Sequence, residues 1–206
     1  MGRCGRLLMR GRNALEPSDK ASLAACGLTR LLTAEEQYNL VAQSSSELID
    51  PRVHIGHVHL KVADLDRALA FYCGLLGFQL MERMGSQAAF ISAGGYHHHI
   101  GLNTWESAGG SPPPPGSTGL YHHAILYPDR RTLAQAVKRL MVAGWPLTGA
   151  SDHGVSEAIY LDDPDRNGVE LYRDRPEEEW PRTPTGELAM STKRLDMAAL
   201  LAEAGA

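Results

Sequence analysis

Residues 55–78, IGHVHLKVADLDRALAFYCGLLGF, open with alternating apolar and polar positions, the period of a strand with one buried face. The rhythm then turns helical, with Asp64 placed to cap the start and Gly77 to close the end. Residues 120–145, LYHHAILYPDRRTLAQAVKRLMVAGW, repeat that order with Asp129 at the opening and Gly144 at the close. In the second helix Leu133, Ala136, Val137, Leu140 and Met141 fall at i, i+3, i+4, i+7 and i+8, the stripe of a helix packed on a sheet. Candidate short strands follow each helix: 78–84, 87–93 and 97–104, then 145–150, 157–162 and 168–173. The prediction is an α+β body over 53–180, two paired βαβββ units of about 53–105 and 119–175 forming a curved mixed sheet around a central pocket. Between them 106–118, ESAGGSPPPPGST, supports neither helix nor sheet and reads as a linker.

Residues 1–52 read as an N-terminal extension in which Ser18 and Thr33 each cap a short helix, Thr33 with Glu36 as a capping box. The C-terminal tail, 181–206, places Met197, Leu200 and Leu201 on one face, to pack on the body or on a second copy; a homodimer is the expectation. With 206 residues and 43% hydrophobic content the chain can bury a substantial core. A net charge of -4 and a pI near 6.1, with no basic run, argue against nucleic acid or an anionic membrane as partner and in favour of small molecules. Cys4, Cys26 and Cys73 lack CxxC spacing, so neither a disulfide framework nor a zinc knuckle is indicated, and a reducing cytoplasm is expected. The apolar stretch Leu7-Leu8-Met9 is too short for a signal-peptide core, although the Arg-rich, acid-poor start also has the composition of an organelle transit peptide.

All nine histidines lie between His54 and His153. Overlaying the repeat places His57 on His122, with the same 65-residue offset that relates Asp64 to Asp129. Two histidines on the opening strands of symmetry-related units can converge on the pseudo-twofold axis. Glu170 stands in the apolar strand NGVELY, where an ionised carboxylate needs a partner or a metal. Its counterpart in the first unit falls near Gly101, which offers no carboxylate. Two imidazoles and one carboxylate make a facial triad with open positions, suited to non-haem Fe(II) and O₂ chemistry.

The spans HVHLKVADLDRALAFYCGLLGF, GLYHHAILYPDR and SDHGVSEAIYLDDPDRNGVELYRDRP resemble the vicinal oxygen chelate superfamily, and within it the catechol 2,3-dioxygenase-like extradiol enzymes. The ordered set His153, Ile159-Tyr160, Asp163-Pro164 and Glu170 is similar to the extradiol signature; Arg166 departs from it, standing where Gly or Pro is usual. The resemblance implies that His57, His122 and Glu170 hold Fe(II), or less often Mn(II), on which an aromatic diol is cleaved by O₂. It further implies that His153 and Tyr160 hydrogen-bond the substrate oxygens and that His99 moves a proton beside bound oxygen. In the run His97-His98-His99, strand alternation would turn His97 and His99 inward and His98 away. Asp163-Pro164 reads as a turn, Cys73 as a small apolar residue, and Tyr72 and Tyr172 as packing. Three other activities use the same fold: a glyoxalase-like isomerase, which resembles a site with a second carboxylate near Gly101, a metal-dependent thiol transferase, and a metal-free protein that sequesters a drug.

Overall fold

The structure, a computed structural model, describes Thr33 and residues 48–205. The chain divides into two compact units, Met1–His54 and Ile55–Ala206. The helices expected from Ser18 and Thr33 lie outside the described residues. Both copies of the repeat fall within the second unit.

Its first half contains β1 (Val58–Lys61), β2 (Gln79–Met84), β3 (Ala88–Ser92) and β4 (Ile100–Asn103), hydrogen-bonded in the order β1-β4-β3-β2. Strands β1 and β4 are parallel, which requires a crossover, and helix α1 (Leu65–Leu69) begins it. The Asp64 carboxylate accepts the Arg67 N–H at 2.9 Å, as its position in the sequence predicts. Alternation and capping do not predict that α1 runs on as a wider π-helical stretch, Ala70–Leu76, which buries Phe71, Tyr72 and Leu76 before Gly77 ends it at φ 93°.

The second half repeats the plan with β5 (His123–Leu126), helix α2 (Arg130–Val142), β6 (Leu147–Asp152), β7 (Ser156–Asp162) and β8 (Gly168–Asp174). Its order is β5-β8-β7-β6, extended at the edge by β9 (Lys193–Arg194). The two open sheets and their helices make the α+β architecture that the repeat predicts. One face of each sheet is covered by helix, and there Leu60, Val62, Ile91 and Leu102 meet the core with Leu133, Val137, Leu140, Ile159 and Leu171, all at most 4% exposed. Each such side chain contributes about 1.5–3 kcal/mol on burial. The period of two turns the intervening residues to the opposite, open face.

The β7–β8 turn joins the halves. Asp163 accepts the main-chain N–H groups of Asp165 and Asn167 at 2.8 Å each and the buried Tyr72 hydroxyl at 3.1 Å, while Asn167 Nδ2 donates to the Lys61 carbonyl at 3.3 Å. Arg67 and the Ala63 N–H reach the buried Asp165 carboxylate from the first half. Arg166 adopts the glycine-like conformation of this turn, φ 61°, so its departure from the extradiol signature leaves the turn intact at a backbone cost of roughly 1–2 kcal/mol.

The tail folds on its own body. β9 pairs with β6, Leu195 and Leu200 are 4% and 0% exposed, and α3 (Met197–Ala202) is held to α2 by Arg130, which donates to the Ala199 carbonyl and the Glu203 carboxylate. Of the apolar face expected in the tail, Leu200 is buried, and Met197 and Leu201 are partly buried against the same core. Among the described residues, no helix is long and apolar enough to cross a membrane.

Candidate functional site

The open face of the second sheet carries a continuous polar rung. Ala124 lies beside Glu170, Glu170 beside Tyr160 and Tyr160 beside Gly149, on four adjacent strands. Small residues, Ala124 and Gly149, flank the carboxylate and the phenol, and a cavity of about 390 Å³ lined by Tyr121, His122, Thr148, Gly149, Tyr160 and Gly168 opens beside the phenol. His122 sits one residue before β5, and its Nε2 is 2.8 Å from Glu170 Oε2. Gly168 permits this approach: a Cβ there would stand 2.1 Å from the Tyr121 carbonyl oxygen and 3.1 Å from His122 Cα. Only a glycine lets the two strand entries come so close. Sequence reasoning missed this residue, whose one signal is a glycine two positions before the half-buried Glu170 carboxylate.

Beyond Glu170 the chain of contacts continues. The Tyr160 hydroxyl is 3.3 Å from Glu170 Oε1 and 2.8 Å from His153 Nε2. Burial and then the adjacent Glu170 charge push the Tyr160 pKa up to about 12, which keeps the phenol a proton donor at neutral pH. Thus four of the six residues singled out in the sequence, His122, Glu170, Tyr160 and His153, form one connected series.

The other two lie apart from it. His57 stands one residue before β1, exposed, with its ring 4.5 Å from that of His98. Its register matches that of His122, since Val58 pairs with Ile100 as His123 pairs with Val169; the same ladders make Gly101 the equivalent of Glu170. His99 points to the end of β3, its Nδ1 3.0 Å from Ser92 Oγ and 3.3 Å from the Ala93 nitrogen. His98, expected to face away, lies instead against His57 and Phe90. The reason is that β4 begins only at Ile100, so residues 97–99 escape strand alternation. His123 faces the core near Tyr72, and burial lowers its pKa to about 4.

Among the described residues, no three His, Cys, Asp or Glu side chains gather around one point. His122 and Glu170 nevertheless suit two adjacent positions on a divalent cation. Donors about 2.1 Å from a metal at right angles are about 3 Å apart, and these stand at 2.8 Å. His122 Nδ1 is buried without a hydrogen-bond partner among the described residues. His57 matches the third position by register but is not gathered with the pair in this conformation.

Two paired βαβββ units with an imidazole–carboxylate pair on the open face of one of them define a protein class. The chain belongs to the Glyoxalase/Bleomycin resistance protein/Dioxygenase superfamily, whose pattern matches residues 54–171. It is 44% identical over 152 residues to a catechol-2,3-dioxygenase from Bacillus subtilis (strain 168), covering 74% of this chain and 52% of that one. It is 29% identical over 118 residues to biphenyl-2,3-diol 1,2-dioxygenase 2 from Rhodococcus globerulus, covering 57% of this chain and 61% of that one. The chain thus spans about half to three fifths of the length of these relatives. Among solved structures, a glyoxalase/dioxygenase from Nostoc punctiforme superposes with a TM-score of 0.52 at 20% identity, over 64% of this chain and 99% of that one. A glyoxylase/bleomycin resistance protein/dioxygenase domain from Frankia sp. EAN1pec gives 0.51 at 23% identity, over 61% and 94%. Both support the fold.

Proposed function

We propose that this chain is an extradiol-type dioxygenase that cleaves a catechol-like aromatic diol with O₂ at a non-haem divalent metal, Fe(II) first and Mn(II) second. The observation that carries this reading is the series His122–Glu170–Tyr160–His153, which joins an imidazole–carboxylate pair to a phenol and a second imidazole. The similarity to a protein named catechol-2,3-dioxygenase supports the choice of substrate class.

In this proposal His122, Glu170 and His57 hold the metal. When bound, it would supply Lewis-acid activation of the diol and a position for O₂. The chain's own side chains divide the rest. Tyr160, kept protonated by burial and by Glu170, holds its one proton toward His153 at rest and would swing it to a substrate oxyanion on binding, without ionising. His153 stands behind it at 2.8 Å as the acceptor that can take up and return a proton. His99, tied to Ser92, is outside this route. The lack of cysteine pairs in metal or disulfide spacing supports a cytoplasmic setting.

A glyoxalase-like isomerase is disfavoured by the first half, where the equivalent of Glu170 is Gly101 and the His59 ring lies over it, 2.9 Å from where a Cβ would stand. A metal-free sequestering protein would not need the His122–Glu170 pair. The test is reconstitution with Fe(II) under argon, then addition of O₂ and a panel of substituted catechols. The proposal expects O₂ uptake and a yellow ring-opened product from at least one of them. An iron-loaded protein that consumes no O₂ with any catechol would contradict it.

A further inference from the structure

The tail does more than close the sheet edge. The Ser191 N–H donates to the His153 carbonyl at 3.1 Å, the His153 N–H to Ser156 at 2.9 Å, and β9 pairs Lys193 with Asp152, next to His153. Gly154, at φ 77°, lets the returning chain lie close, since a Cβ there would be 2.9 Å from Pro181 Cγ. Leu195 and Leu200, buried in the core, anchor the far end. Residues 189–194 therefore form a strap fixed on both sides of His153.

The strap also touches the ring. His153 Nδ1 is 3.1 Å from the Ser191 carbonyl oxygen. A carbonyl only accepts, so a hydrogen bond at this distance needs a hydrogen on Nδ1; the Thr192 hydroxyl, which could donate to the same nitrogen, is farther at 3.5 Å. In a neutral imidazole that leaves Nε2 as a lone pair, and the group facing it, the Tyr160 hydroxyl at 2.8 Å, must donate. A phenol has one proton. Given to His153, it is not given to Glu170 Oε1 at 3.3 Å, and the carboxylate stays free for His122 and a cation.

We infer that the tail strap is a positioning element of the candidate site, in which the Ser191 carbonyl holds His153 as the Nδ1–H tautomer and turns its basic nitrogen to Tyr160. This rests on the dioxygenase reading for its consequence in turnover, but the tautomer itself does not. Positioning partners of this kind typically change activity by about 10–100-fold.

The experiment is nitrogen NMR of the full chain labelled with 15N-histidine, at pH 8, with the His153 signals assigned from their loss in His153→Asn. The expected spectrum has a protonated, pyrrole-type Nδ1 and a pyridine-type Nε2. A proton on Nε2, alone or together with Nδ1, overturns the inference. Ser191→Pro removes the N–H that ties the strap to His153, whereas Ser191→Ala keeps every main-chain group. Ser191→Pro is expected to give mixed tautomers and to lower kcat by about 10–100-fold, with KM within a few-fold and metal content unchanged; Ser191→Ala, which keeps the carbonyl, should keep the parental tautomer. A folded Ser191→Pro with the parental tautomer and kcat also overturns it. If Ser191→Pro does not fold, the parent spectrum alone decides. If the parent cleaves no catechol, the dioxygenase reading fails while the spectrum still settles the tautomer.

Discussion

Across the open face of the second sheet run Ala124, Glu170, Tyr160 and Gly149; at the equivalent rung of the first run His59, Gly101, Phe90 and Glu82. The backbone ladders are the same, but large and small residues change places. In the second half the small residue lies on the opening strand, so a carboxylate on the closing strand has space and a phenol to meet. In the first the small residue is Gly101, and the space above it is filled by the His59 ring, edged by Phe90 and Trp105. Two copies of one fold thus carry, among the described residues, one imidazole–carboxylate–phenol series. What distinguishes them is not the strand plan but which neighbour on the rung gives up volume.

Among substitutions that test this difference between the halves, the largest effect is expected at Tyr160. Tyr160→Phe gives the second half the residue of the first and removes one hydroxyl with almost no volume. We expect kcat for catechol cleavage to fall by about 10²–10⁴-fold while metal content stays parental. Steady-state kinetics on iron-loaded protein checks this, and a parental kcat would remove Tyr160 from the proton route. Gly168→Ala sets a Cβ against the Tyr121 carbonyl, 2.1 Å away, and the strand entry carrying His122 must move. Urea unfolding should show a loss of about 3 kcal/mol, near the top of the usual overpacking range, and metal affinity should fall with it. Gly101→Glu places the second half's carboxylate in the first, against the His59 ring at 2.9 Å. It should cost about 1–3 kcal/mol alone and less when combined with His59→Ala, which copies the Ala124–Glu170 pair. The smallest change is at the joint: Arg166→Gly relieves the left-handed conformation at φ 61°. Thermal or urea unfolding should show a gain of about 0.5–1 kcal/mol, because glycine's larger unfolded-state entropy offsets part of the relief.

Much of this was legible in the chain itself. The period of two at Val58–Lys61 and His123–Leu126, and the Asp64 and Asp129 caps, are local patterns, and local hydrogen bonds enforce them. The equivalence of His57 with His122 and of Gly101 with Glu170 follows from the same repeat and agrees with the strand registers. What was hidden depends on contacts distant in sequence. The π-helical turn after Leu69 answers to what Phe71 and Tyr72 pack against, not to a periodicity. Residues 97–99 lie just outside β4, and a strand that starts three residues late reverses which histidine meets His57. The strap over His153 joins positions 38 residues apart through the Ser191 main chain, which no side-chain motif can announce. Gly168 looks like an ordinary turn residue until the His122 backbone is set against it.

In the proposed site the second half's rung holds one metal ion through the Glu170 carboxylate. Glu170→Gln keeps the shape of the side chain and removes the anion. Both proteins would be loaded with Fe(II) under argon, dialysed against a weak chelator and assayed for iron per chain. Close to one iron per chain is expected for the parent and close to none for the variant; full iron retention by Glu170→Gln would exclude the carboxylate as a ligand.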